Sequence, residues 1–156
     1  MEMQKEIDKF LSSPAVLRAL RGLGPTAKIL AQINAKHYLV VWEEGSLIAK
    51  SLGEGENEAA DFEFFASEAA AMALIAEAGK PKASPASLGI YSIAQVFSSR
   101  EDRRIGFRVN APLFTLMRKG YFSVLMAGGP EVFSELGKRG FGSLAKVRNV
   151  LRKTKG

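Results

Sequence analysis

Cysteine is absent from the 156 residues, which excludes a disulfide framework, thiolate zinc sites and a cysteine nucleophile. Its absence fits a reducing compartment. Histidine occurs once, at His37, with no Asp, Glu or second His at ligand spacing and no serine in a nucleophile-elbow context. A structural or surface role is therefore expected for it. Long apolar runs are missing too: the longest, Ala69 to Ala76, is far too short to span a bilayer. The opening MEMQKEIDKF carries acids and no apolar stretch, so no signal peptide is expected, and the cytoplasm is the expected location. Neither an internal repeat nor a low-complexity tract is present.

What remains is enough to build a core. Hydrophobic residues make up 47% of the chain, so residues 1–156 are expected to form a single domain without disulfides or structural metal. Charge is divided unevenly along it. Residues 1–136 hold 15 Lys and Arg against 16 Asp and Glu, whereas residues 137–156 hold seven cations and no acid. The net charge of +6 thus belongs to one terminal segment.

Hydrophobic periodicity predicts the elements. From Glu2 to Arg21, Ile7, Phe10, Leu11, Val16, Leu17 and Leu20 recur at helical spacing, with Ser13-Pro14 starting a second helix. Thr26 is placed to cap a further helix to about Lys36, with Ile29, Leu30 and Ile33 on one face. Tyr38, Val40 and Trp42 then alternate as a strand, Glu43 to Ser46 supply a turn, and Leu47 to Leu52 return. Asn57 is expected to cap a long alanine-rich helix ending at Gly79, with Phe62, Phe65, Ala69 and Met72 at three- and four-residue steps. After a surface connection over 80–89, strands are expected at Ile90–Phe97, from Ile105 to about Leu116, and at Tyr121–Ala127. A short helix follows Gly128-Gly129-Pro130, and Ser143 caps a last amphipathic helix carrying Leu144, Val147, Val150 and Leu151. The fold class is α+β, a five-stranded, mainly antiparallel sheet with a long central helix and N- and C-terminal helices.

Few residues carry chemistry. Glu43 and Glu44 are adjacent in a turn, where paired acid–base carboxylates would have to converge from separate elements. MAGGPE (126–131) and GKRGFGS (137–143) are glycine-rich but complete no phosphate-binding fingerprint, so no cofactor is expected. The basic segment, Lys138, Arg139, Lys146, Arg148, Arg152, Lys153 and Lys155, suits nucleic acid, an anionic membrane or an acidic partner. Its alternative is a solvated helix face complementing the helix dipole. On the long helix Phe62 and Phe65 occupy one side and Phe64 another, so a second apolar face requires a second cover, for which a partner subunit is the economical choice.

In this order of elements the chain resembles the roadblock / dynein light chain family, whose sheet arrangement is shared in part by longin and profilin-like domains. HYLVVWEEGSLIAKSL resembles the family's first hairpin, Ala59 to Ala78 its central helix, and IYSIAQVF, RIGFRVNAPLFTLM and GYFSVLMAGG its last three strands. FGSLAKVRNVLRK resembles the closing helix, while Asn34-Ala35-Lys36 replaces the usual glycine-valine pair before the first strand. The resemblance implies an N-terminal helical extension over 1–25, a core over 26–136 and a basic helical segment over 137–156. It also implies a cytoplasmic homodimer without enzymatic activity that scaffolds or regulates a small Ras-like GTPase. Phe62, Phe65, Ala69 and Met72 would form the helix interface, with Tyr91, Ile93 and Gln95 along a strand-pairing edge. The alternative function is a module that binds nucleic acid or another polyanion through the C-terminal segment.

Overall fold

Three consecutive strands open the sheet in the computed structural model, which describes residues 3–53 and 58–138. They are β1 (Lys28–Ile33), β2 (Lys36–Glu43) and β3 (Ser46–Leu52), each antiparallel to the next. The β2–β3 turn follows from its sequence. Glu44 (φ 52°) and Gly45 (φ 81°) are both left-handed, as a two-residue turn matched to strand twist requires. The helix expected over 26–36 is instead β1. Ile29, Leu30 and Ile33 fit a helical stripe, but Ile29, Ala31 and Ile33 alternate equally well, and so short a run is ambiguous. Asn34 decides it: at φ 54° it turns the chain sharply, and Ile33 then faces Lys36 across a hairpin.

A second correction falls on the long helix. Residues 62–66 form strand β4 (Phe62–Ala66), parallel to β1, and the helix begins only at α3 (Glu68–Ala78). The aromatic run FEFF suits a pleated surface, and Ser67 starts the helix by accepting a hydrogen bond from the Ala70 amide at 3.1 Å. Asn34 Oδ1 accepts from the Glu68 amide at 3.2 Å, tying that helix start to the β1–β2 turn. The expected cap, Asn57, lies outside the described residues.

The three expected C-terminal strands reduce to one. Residues 85–96 form helix α4 (Pro85–Val96), started by proline in its first turn and a reciprocal Ser84–Ser87 capping box. Only β5 (Ile105–Val109) is a strand, antiparallel to β4. It is followed by three short helices, α5 (Leu113–Arg118), α6 (Tyr121–Ala127) and α7 (Pro130–Lys138). Gly120 (φ 87°) joins α5 to α6. A Cβ there would stand 2.1 Å from the Gly22 carbonyl oxygen, so the approach of these two loops demands glycine.

The sheet is therefore mixed, in the order β3-β2-β1-β4-β5, within an α+β fold. Roadblock topology requires one long helix between the second and third strands and three strands after it. Four strands precede α3 here and a single one follows, so the resemblance to that family is corrected. Register places Ile29, Ala31, Val40, Phe62 and Phe64 on one face. Helix α1 (Met3–Leu11) and α2 (Pro14–Leu20) bring Ile7, Leu11 and Val16 into the same core, so the N-terminal helices pack within the body. The other face carries Lys28, Gln32, Lys50, Glu63 and Arg108, as alternation dictates. Among the described residues no helix is long and apolar enough to cross a membrane.

Candidate functional site

Between the sheet and its helical cover lies a cavity of about 490 Å³. The sheet supplies Ile29, Ala31, Val40, Phe62, Phe64 and Phe107. Helices from both ends of the chain close it, among them α4 through Leu88 and Ile93 and α6 through Phe122 and Leu125. Among the described residues no charged one lines it, and only Ser92 and Tyr121 bring hydroxyls. Phe97 and Leu113 are lining residues that also reach solvent, at 43% and 39% exposure, and so mark its rim. Aromatic rings form one wall. Phe62 lies 5.2 Å from Phe107 and 6.3 Å from Tyr121, and Phe64 lies 5.5 Å from Phe107, between ring centroids.

A polar cluster behind that wall fixes it in place. Asp61 immediately precedes β4 and is buried. Lys119 Nζ donates to its two carboxylate oxygens at 2.9 and 3.1 Å, the Lys28 amide donates at 3.0 Å, and the Tyr121 hydroxyl donates at 3.0 Å. The Asp61 carbonyl also accepts from the Asn110 and Ala111 amides. One residue thereby joins β1, the end of β5 and the α5–α6 connection. Burial alone would raise the Asp61 carboxyl, but the three donors and the Lys119 charge outweigh it and hold it below the usual carboxylate range. Tyr121 moves the other way: burial first, then the adjacent Asp61 charge, push its hydroxyl far up, so it stays a neutral donor.

The residues expected at a dimer interface are dispersed. Phe62 faces the cavity and Phe65, by register, the opposite side of the sheet. Ala69 is exposed in the first turn of α3, and Met72 packs against the core. Tyr91, Ile93 and Gln95 stand on helix α4 rather than on a strand edge. Ile93 lines the cavity, while Tyr91 and Gln95 border a polar surface cleft with Glu77 and Arg103. Lys138 ends α7, exposed near Glu135. Arg139, Lys146, Arg148, Arg152, Lys153 and Lys155 lie outside the described residues, as does the expected closing helix.

His37 sits within β2 opposite Leu52, partly buried. Glu43 pairs with Lys50 across the hairpin at 2.6 Å. The glycines of MAGGPE serve packing and a turn: a Cβ on Gly128 would collide with Val132 Cγ2, and Gly129 is left-handed at φ 76°. Among the described residues no group of three His, Asp or Glu side chains converges as a metal site would require. The cavity-lining segments at 85–97 and 113–128 and the Asp61–Lys119–Tyr121 cluster were not legible as a site. The one local signal was Ser84-Pro85, the start of the helix that carries Leu88 and Ile93 to the cavity.

Fold and site together define an α+β protein whose five-stranded mixed sheet and helices enclose an apolar cavity. No family model matches the chain, and no curated protein matches it. Among solved structures it is similar to one titled "UbiJ-SCP2 Ubiquinone synthesis protein", at 12% sequence identity and a TM-score of 0.38. The match covers 80% of this chain and 91% of that one. The expectation of a GTPase partner rested on the roadblock resemblance and has no separate support in these residues.

Proposed function

We propose that this protein binds an apolar or amphipathic small molecule in the cavity between its sheet and helices, without transforming it. The observation that carries the reading is the lining: about 490 Å³ walled by aliphatic and aromatic side chains, with no charged residue among the described ones. That volume lies in the range of small-molecule sites, which are mostly apolar with a few placed polar groups. The energetics favour an occupant. A ligand with a hydrocarbon body takes this apolar lining out of water, worth roughly 25 cal/mol per Å² buried, and gains dispersion contacts with it. Ser92 and the Tyr121 ring offer the ligand little polar recognition, so discrimination falls on shape and length.

Uptake of a fluorescent polyene fatty acid by the full chain, followed by displacement with unlabelled fatty acids or isoprenoid alcohols, tests this. Ala31 lines the middle of the sheet wall, and Ala31→Phe fills the volume from there. Saturable uptake that falls about tenfold or more in a folded Ala31→Phe variant is expected, since the ring displaces several methylenes of ligand. Undiminished uptake in that variant would sink the reading.

A further inference from the structure

Helix α5 is apolar on both sides. Inward, Leu116 is buried and Leu113 reaches the cavity. Outward, Phe114 is 73% exposed and Met117 54%, three residues apart and hence neighbours on the helix surface. A helix apolar on both sides must bury both, and the described residues cover only one. The charge around it is one-sided as well. Helix α5 carries Arg118 and no acid, and Lys119, which follows it, is engaged with Asp61. Arg118, four residues after Phe114 and therefore beside it, is exposed.

We propose that the outer face of α5 docks on an anionic lipid bilayer. Long apolar side chains with a cation at their edge match the boundary between acyl chains and headgroups, where apolar burial and attraction to anionic lipid act together. Arg118 complements a negative surface and would repel its counterpart on another copy of the same face. Continuity with the cavity gives the contact a purpose. Leu113 belongs to the rim and to the cavity lining at once, so a bilayer that receives Phe114 and Met117 meets the cavity opening. Ligand then passes between membrane and protein without crossing water. This exchange role rests on the ligand-binding reading above, whereas the docking itself does not.

Flotation of the full chain with vesicles of phosphatidylcholine, alone or mixed with phosphatidylglycerol, tests the docking surface. The chain should float with the mixed vesicles and not with the neutral ones. The variant F114E/M117E should lose about tenfold or more of that partition, the worth of one large apolar side chain. In vesicle-free solution the same variant should keep its uptake of the fluorescent fatty acid, which shows that the body is folded and the cavity intact. A chain that binds vesicles but takes up no fatty acid would support the docking surface and remove the ligand reading. Vesicle binding unchanged in F114E/M117E would overturn the proposal, as would wild-type chain that floats with neither vesicle. Phe114-dependent self-association in sedimentation would overturn it by showing a second copy as the occupant.

Discussion

Tyr121 and Asp61, 60 residues apart in sequence, meet in a 3.0 Å hydrogen bond at the edge of the cavity. The tyrosine ring lines the apolar interior while its hydroxyl turns outward to the carboxylate. Lys119 reaches the same carboxylate from one residue before the α6 entry. This is how a wall of apolar and aromatic side chains is fixed in place: the polar groups are satisfied among themselves, just outside the apolar volume.

Asp61→Asn should therefore loosen the α5–α6 wall. It leaves Lys119, whose side chain is 18% exposed, without its anion, at a cost of about 1–3 kcal/mol in urea denaturation. The pH dependence follows from the lowered Asp61 carboxyl. The folded chain binds fewer protons there than the unfolded chain, so this contribution is complete above the ordinary Asp value of about 4. It disappears as pH falls through the lower folded value. Wild type should lose stability on acidification below that point more steeply than Asp61→Asn; parallel curves would show that the cluster does not hold the wall.

An apolar ligand that occupies the cavity should raise the melting temperature. At a free concentration a hundredfold above its dissociation constant the gain is about 2.7 kcal/mol, or about 5–10 °C for a chain of this length. In Ala31→Phe the ring already occupies that space, so its ligand-free melting temperature should stay level or rise, where a packed core would lose about 1–3 kcal/mol. Differential scanning fluorimetry with and without a long-chain fatty acid reads both effects. A destabilised Ala31→Phe would mean that the space beside Ala31 is already filled.

The parts of the fold legible in sequence were those with an unambiguous local signal. Glu44-Gly45 between alternating strands announced its hairpin, and Ser13-Pro14 its helix. Illegible were segments whose apolar residues satisfy two periods at once. Ile29 to Ile33 becomes a strand because Asn34 and the partner β2 impose it, and IYSIAQVF becomes a helix because Ser84 and Pro85 nucleate one upstream. The cavity was hidden for a different reason. Its lining is assembled from both ends of the chain, from Ile7 to Val132, so no local window contains it. The Asp61 cluster was hidden likewise, since its partners Lys119 and Tyr121 are distant in sequence.

Caps provide a direct check on the reassigned helices. Ser84 accepts from the Ser87 amide at 3.0 Å, and the Ser87 hydroxyl accepts from the Ser84 amide at 2.9 Å. Ser84→Ala should cost about 1 kcal/mol in chemical denaturation, and Ser67→Ala a similar amount at the start of α3. Were residues 85–96 an edge strand, an exchange of serine for alanine just before it would be nearly neutral.

Gly89 on α4 and Gly128 before α7 both face Val132, and their substitutions should be coupled through it. A Cβ on Gly89 would lie 2.7 Å from Val132 Cγ2, too close without displacement of α7. Gly89→Ala alone gains helix propensity of about 1 kcal/mol, yet the clash should reverse the sign and leave the variant less stable. Val132→Ala removes the Cγ atoms that collide and, alone, loses stability because Val132 is 3% exposed. The double variant should be more stable than the two single losses added together, with a coupling of about 1–2 kcal/mol by urea denaturation. Strict additivity would separate α4 from α7 at this point and open the end of the cavity that both glycines and Val132 line.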